Sequence, residues 1–154
     1  MLRLPRIHVA VEIDATPEQV WTAVQQIDRH VEWMHDAVAI RFIGEQTSGV
    51  GTEFFCDTKV GPFKLVDRMT ITEWVVNATM GVRHTGAVTG DGVFTLRPIE
   101  PTGTHFAWDE QLHFPWWLGG RVGAAIAGRV VLRPIWKRNL RALKKLIEPT
   151  TSAA

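Results

Sequence analysis

Residues Ile7 to Trp21 read IHVAVEIDATPEQVW. The first eight, Ile7 to Asp14, alternate apolar and polar side chains, the period of a strand with one face buried and one in water. Helix-start chemistry follows at once. Thr16 can cap, and Gln19 completes a capping box. Pro17 suits the first helical position, where a missing N–H costs nothing. The stretch predicts a strand running directly into a helix from Pro17 to about Gln26.

Downstream, Arg29 to Met34 reads as a short second helix. Strands separated by turn signals come next. Ala37 to Ile43 is the first, and glycines bound the turn Gly44 to Gly49. Thr52 to Val60 follows, then the Gly61-Pro62 turn, then the long strand Phe63 to Trp74. Asn77 marks a turn before Met80 to Thr85, Val88 to Leu96 and Thr104 to Phe114. Glu100-Pro101-Thr102-Gly103 is the clearest hairpin turn, and Gly90-Asp91-Gly92 also reads as a turn.

From Leu118 to Ile147 the period becomes helical. Val122, Ile126, Arg129, Arg133, Trp136, Leu140, Leu143 and Ile147 recur at steps of four and three, which puts them on one stripe of a helix. Pro134 lies inside this run, lacks a backbone donor and should kink it.

The bulk numbers suit this order of elements. The chain has 154 residues, 45% of them hydrophobic and 21% charged, the balance of one globular domain. A formal net charge of +1 gives no global field for nucleic acid. Cys56 is the only cysteine, so no intrachain disulfide forms, and a cytoplasmic location is expected. Met1 to Ile7 lacks the apolar stretch of a signal peptide, and no run reaches the roughly 18 apolar residues of a membrane span. Seven tryptophans and no tyrosine supply large apolar faces, either for core packing or for lining a cavity.

One strand, two short helices, six strands and one long helix imply an α+β fold. Its curved antiparallel sheet of about seven strands is covered by the C-terminal helix, the only element large enough to do so. One domain over residues 1–149 is expected, with a disordered tail at 150–154. At VEIDATPEQVW (Val11 to Trp21), IDRHVEW (Ile27 to Trp33), GTEFFCD (Gly51 to Asp57), VDRMTITEW (Val66 to Trp74) and NLRALKKLIE (Asn139 to Glu148) the chain resembles the START-like SRPBCC superfamily. That superfamily takes in START domains, polyketide cyclases and the major birch pollen allergen. Ile13, Ala15, Pro17, Val20 and Trp21 are similar to the opening of its polyketide cyclase/dehydrase branch. The resemblance covers nearly all of residues 7–148. It implies the helix-grip fold and an internal hydrophobic cavity between sheet and helix. The fold itself hosts carriers, enzymes, receptors and chaperone regulators, and so does not select a function.

The large apolar residues expected to line such a cavity are Trp33, Phe54, Leu65, Met69, Val82, Phe94, Phe106, Trp108, Leu112, Ile126 and Trp136. Arg129 and Arg133 stand on the apolar stripe of the last helix. There they would anchor a carboxylate or phosphate on an otherwise apolar ligand, unless the Pro134 kink turns them out or they snorkel to the surface. Glu110 shares a strand face with Phe106, Trp108, Leu112 and Phe114, and Asp67 shares one with Leu65, Met69 and Ile71. His84 is in phase with Met80 and Val82. Asp67, Glu110 and His84 are therefore the candidates for acid/base chemistry. Equally, the carboxylates can pair with the arginines and His84 can be a satisfied core residue.

A metal site is not expected. His105, Asp109 and His113 share a strand face at steps of four, about 13 Å apart, against ligand bonds near 2 Å. No cofactor is expected either: no phosphate-loop pattern surrounds Gly90-Asp91-Gly92, and, separately, no serine sits in a nucleophile-elbow context. No acidic residue occurs between Gln111 and Ile147, whereas Arg121, Arg129, Arg133, Lys137, Arg138, Arg141, Lys144 and Lys145 do. With Phe114-Pro115-Trp116-Trp117-Leu118 just before it, this basic helix reads as either a solvated face or a weak membrane-surface contact. The expected function is binding of a hydrophobic, lipid- or polyketide-like small molecule, with or without an anionic group. The alternatives are a cyclase or dehydratase, and a membrane-surface or protein-interaction module.

Overall fold

The computed structural model describes residues 6–148, the side chains at 118, 121, 124, 125, 127 and 128 excepted. Residues 1–5, 149 and the expected tail at 150–154 lie outside the described residues.

Strand β1 (Arg6–Ile13) buries Ile7, Val9 and Ile13, half-buries Val11 and turns the alternate residues outward, as its period requires. Helix α1 (Pro17–Val24) starts on a complete capping box. Thr16 Oγ1 accepts from the Gln19 N–H at 3.3 Å, and Gln19 Oε1 accepts from the Thr16 N–H at 2.9 Å. The helix stops two residues earlier than its sequence suggests. His30 folds back and donates from Nε2 to the Val24 carbonyl at 2.6 Å, supplying a partner to a helix-end acceptor. The expected second helix is a 3-10 turn over Ile27–Glu32.

Six strands follow: β2 (Ala37–Ile43), β3 (Glu53–Val60), β4 (Phe63–Val75), β5 (Thr79–Thr85), β6 (Thr89–Ile99) and β7 (Gly103–His113). All pairings are antiparallel, in the order β1-β7-β6-β5-β4-β3-β2. The segment Gly90-Asp91-Gly92 is not a turn: it lies inside β6, paired on both sides.

The expected long C-terminal helix is present, and the helical segment leading into it is broken rather than continuous. The chain forms a 3-10 turn (Trp116–Leu118), helix α2 (Gly120–Ala127), a π-helical turn (Gly128–Leu132) and helix α3 (Arg133–Ile147). Gly119 and Gly120 take φ of +90° and +54°, left-handed values that glycine adopts without a Cβ penalty, so no right-handed helix passes through them. The wider π turn, followed by Pro134 in the first turn of α3, shifts the phase of everything before it. Trp136, Leu140 and Leu143 keep the buried stripe, while Val122, Ile126, Arg129 and Arg133 are exposed.

Helix α3 packs on β1 and touches α1. Its C-terminal turn is tied to the β1–α1 junction: Lys144 Nζ donates to the Glu12 carbonyl at 2.7 Å, and Glu148 Oε1 accepts from the Asp14 N–H at 2.8 Å. The 3-10 turn Ile27–Glu32 covers β2 at the opposite edge of the sheet. The concave face of the central strands is spanned rather than filled, and a cavity remains beneath α3.

Candidate functional site

The cavity has a volume of about 160 Å³. Apolar side chains make most of its wall, among them Phe54 of β3, Leu65 and Met69 of β4, and Val82 of β5. Phe94 of β6, Trp108 and Leu112 of β7, and Trp136 of α3 complete the set of expected residues that line it. Trp136 stacks on Trp108 with ring centroids 4.5 Å apart and planes 15° apart, joining helix to sheet.

Trp33 and Phe106 are placed differently from expectation. Both are fully buried in the aromatic core beside the cavity and do not line it. Ile126, Arg129 and Arg133 are placed outside it: the π turn shifts the phase of Ile126 and Arg129, and Arg133, the first residue of α3, is exposed beside the inward Leu132. Leu132 takes the inward position one turn before Trp136.

The polar part of the wall is built from three strands. Asp67 comes from β4, His84 from β5 and Glu110 from β7. His84 Nδ1 lies 2.6 Å from Asp67 Oδ2, and His84 Nε2 lies 3.3 Å from Glu110 Oε1. The side chains of His84 and Glu110 are each 6% exposed, and that of Asp67 is 14% exposed. Burial disfavours a charged imidazole, but the Glu110 charge and the Asp67 hydrogen bond outweigh it. The His84 pKa is raised to about 10. The ring is therefore an imidazolium donating to a carboxylate on either side.

Glu110 reaches His84 across β6, the strand between β7 and β5. Gly92 stands directly opposite Glu110 in the β6–β7 register. A Cβ at Gly92 would sit 2.7 Å from Glu110 Cγ and Oε1, so glycine leaves the passage open. At Gly86 a Cβ would sit 2.8 Å from Asp67 Oδ1, a buried atom with no hydrogen-bond partner among the described residues.

His30, Asp36 and Cys56 line the same space, and Asn139 is buried behind it. His30 is held neutral at ordinary pH: burial lowers its pKa to about 4, against the opposing Val24 carbonyl bond. Burial raises the Asp36 carboxyl above its ordinary range, opposed by the bond from Asn139. Burial also raises the Cys56 thiol to about 11, which leaves it protonated and a poor nucleophile. Asn139, fully buried on α3, donates to Asp36 Oδ1 at 2.7 Å and accepts from the His35 N–H at 2.9 Å. Among the described residues that line the cavity, none is a lysine or an arginine. Among the described residues no group of three or more His, Cys, Asp and Glu side chains is arranged to hold a metal ion. Asp109, on the outer face, takes His8 at 2.7 Å instead.

Asp36, Asn139, Leu132 and Gly92 escape a reading by periodicity. Asn139 leaves one signal, a polar residue between Trp136 and Leu140 on the buried side of a helix. Gly92 leaves another, a glycine in a strand-forming run.

The family model described as polyketide cyclase / dehydrase and lipid transport matches residues 5–148. The chain belongs to that family. No curated protein matches it in sequence. Solved structures share the helix-grip fold at low identity. A protein from Thermus thermophilus has a TM-score of 0.76 at 15% identity, covering 93% of this chain and 97% of its own. A START superfamily protein from Mycobacterium smegmatis has 0.74 at 13%, covering 92% and 96%. An aromatase/cyclase from a Streptomyces species has 0.70 at 10%, covering 94% and 96%. Identities this low speak for the fold, and within the polyketide cyclase/dehydrase family the chemistry has to be argued from the cavity of each member.

Proposed function

We propose that this protein binds a small, mostly apolar molecule between sheet and α3, and that the polar end of that molecule is a hydrogen-bond donor or a cation rather than an anion. One observation carries the reading: an apolar cavity whose charged wall is a carboxylate–imidazolium–carboxylate row, with no lysine or arginine among the described lining residues. Two carboxyl groups face one imidazole, so acceptor oxygens outnumber the ring's donors. Asp67 Oδ1 is a buried acceptor with no hydrogen-bond partner among the described residues. The Glu110 contact, at 3.3 Å, is longer than the roughly 2.7–2.9 Å of a strong charge-assisted bond, which makes Glu110 the looser partner. An incoming hydroxyl or ammonium satisfies such groups, whereas a carboxylate is repelled by them.

A cavity of about 150 Å³ accommodates a single aromatic ring. The test is a titration with toluene, benzyl alcohol, benzylamine and benzoate, followed by amide chemical shifts. Benzylamine and benzyl alcohol are expected to bind more tightly than toluene, and benzoate least. Benzoate binding as tightly as benzylamine would sink the donor preference. Failure of all four to shift cavity residues would sink the binding reading itself.

A second reading, acid/base catalysis of a cyclase or dehydratase type, is favoured by the same buried row. An imidazolium with a pKa of about 10 is a proton donor and not a base at neutral pH. In this reading Glu110 accepts a proton while His84 steadies negative charge. Loss of turnover with unchanged ligand affinity in Glu110→Gln is its signature, and unchanged turnover would exclude it.

A further inference from the structure

The segment from Trp116 to Arg133 presents an exposed apolar and cationic surface that the cavity does not explain. Trp116 is 87% exposed and Trp117 56%, and Val122, Ile126 and Val130 are each more than half exposed. Arg129 and Arg133 are exposed among them, and Lys137, Arg138 and Arg141 continue the exposed cationic surface along α3. No acidic residue occurs in the sequence between Gln111 and Ile147. Helix α2 packs mainly on the turns that flank it and on β7.

We propose that this face docks on an anionic lipid bilayer, with Trp116, Trp117, Val122, Ile126 and Val130 at the headgroup–acyl boundary and Arg129 and Arg133 against headgroup phosphates. Exposed tryptophan beside arginine, with no acid in between, fits a surface that is apolar inside and negative at its edge. A second copy of the chain is disfavoured, since pairing this face with itself sets arginine against arginine. No described helix is long and apolar enough to cross a membrane, so the contact is interfacial. Phe114 and Leu132 lie at the two ends of the docking segment and line the cavity, so docking sets the cavity wall beside the bilayer.

Cosedimentation of the full chain with phosphatidylcholine vesicles, and with phosphatidylcholine vesicles containing about 30% phosphatidylglycerol, tests the proposal. Binding is expected to the anionic vesicles only, weakening several-fold between about 0.1 and 0.5 M salt. Arg129→Glu/Arg133→Glu is expected to lose about tenfold or more in affinity. Trp116→Ser/Trp117→Ser should lose a similar factor. All four positions are exposed, so an unchanged melting temperature separates loss of docking from loss of fold. Equal binding to both vesicle types, no binding to the anionic ones, or undiminished binding by either folded variant would overturn the proposal. So would a concentration-dependent dimer that the tryptophan variant abolishes.

Discussion

Glu110 lies 3.3 Å from His84 although a whole strand, β6, runs between their own strands. The contact exists because Gly92 has no side chain at the crossing point. Gly92→Ala places a methyl group where Glu110 Cγ and Oε1 now sit, and the buried carboxylate must move. The expected outcome is a loss of about 1–3 kcal/mol in urea unfolding, the range for a disrupted buried hydrogen bond. The His84 pKa should fall at the same time. A variant as stable as the parent, with His84 titrating unchanged, would show that the passage is not what holds the pair.

His84 sets an alkaline limit. Its folded pKa, about 10, lies above the ordinary 6.5, so the folded ring holds its proton where the unfolded ring has released it. The stabilisation is complete below about pH 6.5 and disappears as pH rises through about 10. Urea midpoints of the parent should decline over that interval, and those of His84→Gln should decline less. Nitrogen NMR of the ring gives the direct check: titration near pH 6.5 in the folded protein would contradict the buried imidazolium.

His30 has the opposite sign. Its folded pKa, about 4, is below the ordinary 6.5, so the unfolded ring takes up a proton that the folded ring refuses. Stability is present above about pH 6.5 and is lost as pH falls toward 4. The steepest slope is about 1.4 kcal/mol per pH unit for one proton. In His30→Gln the slope between pH 4 and 6.5 should be shallower by up to that amount. An identical slope would mean that other groups carry the acid transition.

Trp136 closes the cavity from the helix side by stacking on Trp108. Trp136→Ala is expected to cost about 3–5 kcal/mol, as large aromatic truncations in cores do. It also enlarges the cavity, so a two-ring aromatic such as 2-naphthylmethanol should gain affinity relative to benzyl alcohol in a protein that stays folded. Calorimetric melting and the paired titrations measure the two effects separately.

Asn139 joins α3 to the loop before β2 through His35 and Asp36. Asn139→Ala strands a backbone N–H and removes a donor from a largely buried carboxyl. About 1–3 kcal/mol of stability should be lost, with faster amide exchange at His35. Asn139→Asp should be worse than Ala, because it sets a second carboxylate beside Asp36.

Periodicity located most of this molecule. Alternation in Ile7 to Asp14 and in the later strands placed the elements to within a few residues. It also placed Asp67, His84 and Glu110 on the inward faces of their strands, because a strand's period of two is insensitive to distant contacts. The helical stripe failed for the complementary reason. A period of 3.6 accumulates phase along the chain, and the π turn at Gly128–Leu132 leaves Leu132 facing the cavity and Arg129 outside it, with Arg133 exposed at the start of α3.

The order of elements, the antiparallel sheet and the inward faces of the strands were thus already written in the chain. They follow from local spacing, capping and turn chemistry. Three things were settled only by folding. Carboxyl groups from β4 and β7 meet one imidazole on β5, a missing side chain at Gly92 lets Glu110 do so, and the arginines belong to the surface. Each of these depends on register between strands or on the hand-over from π to α geometry, and both are set by packing between segments distant in the chain.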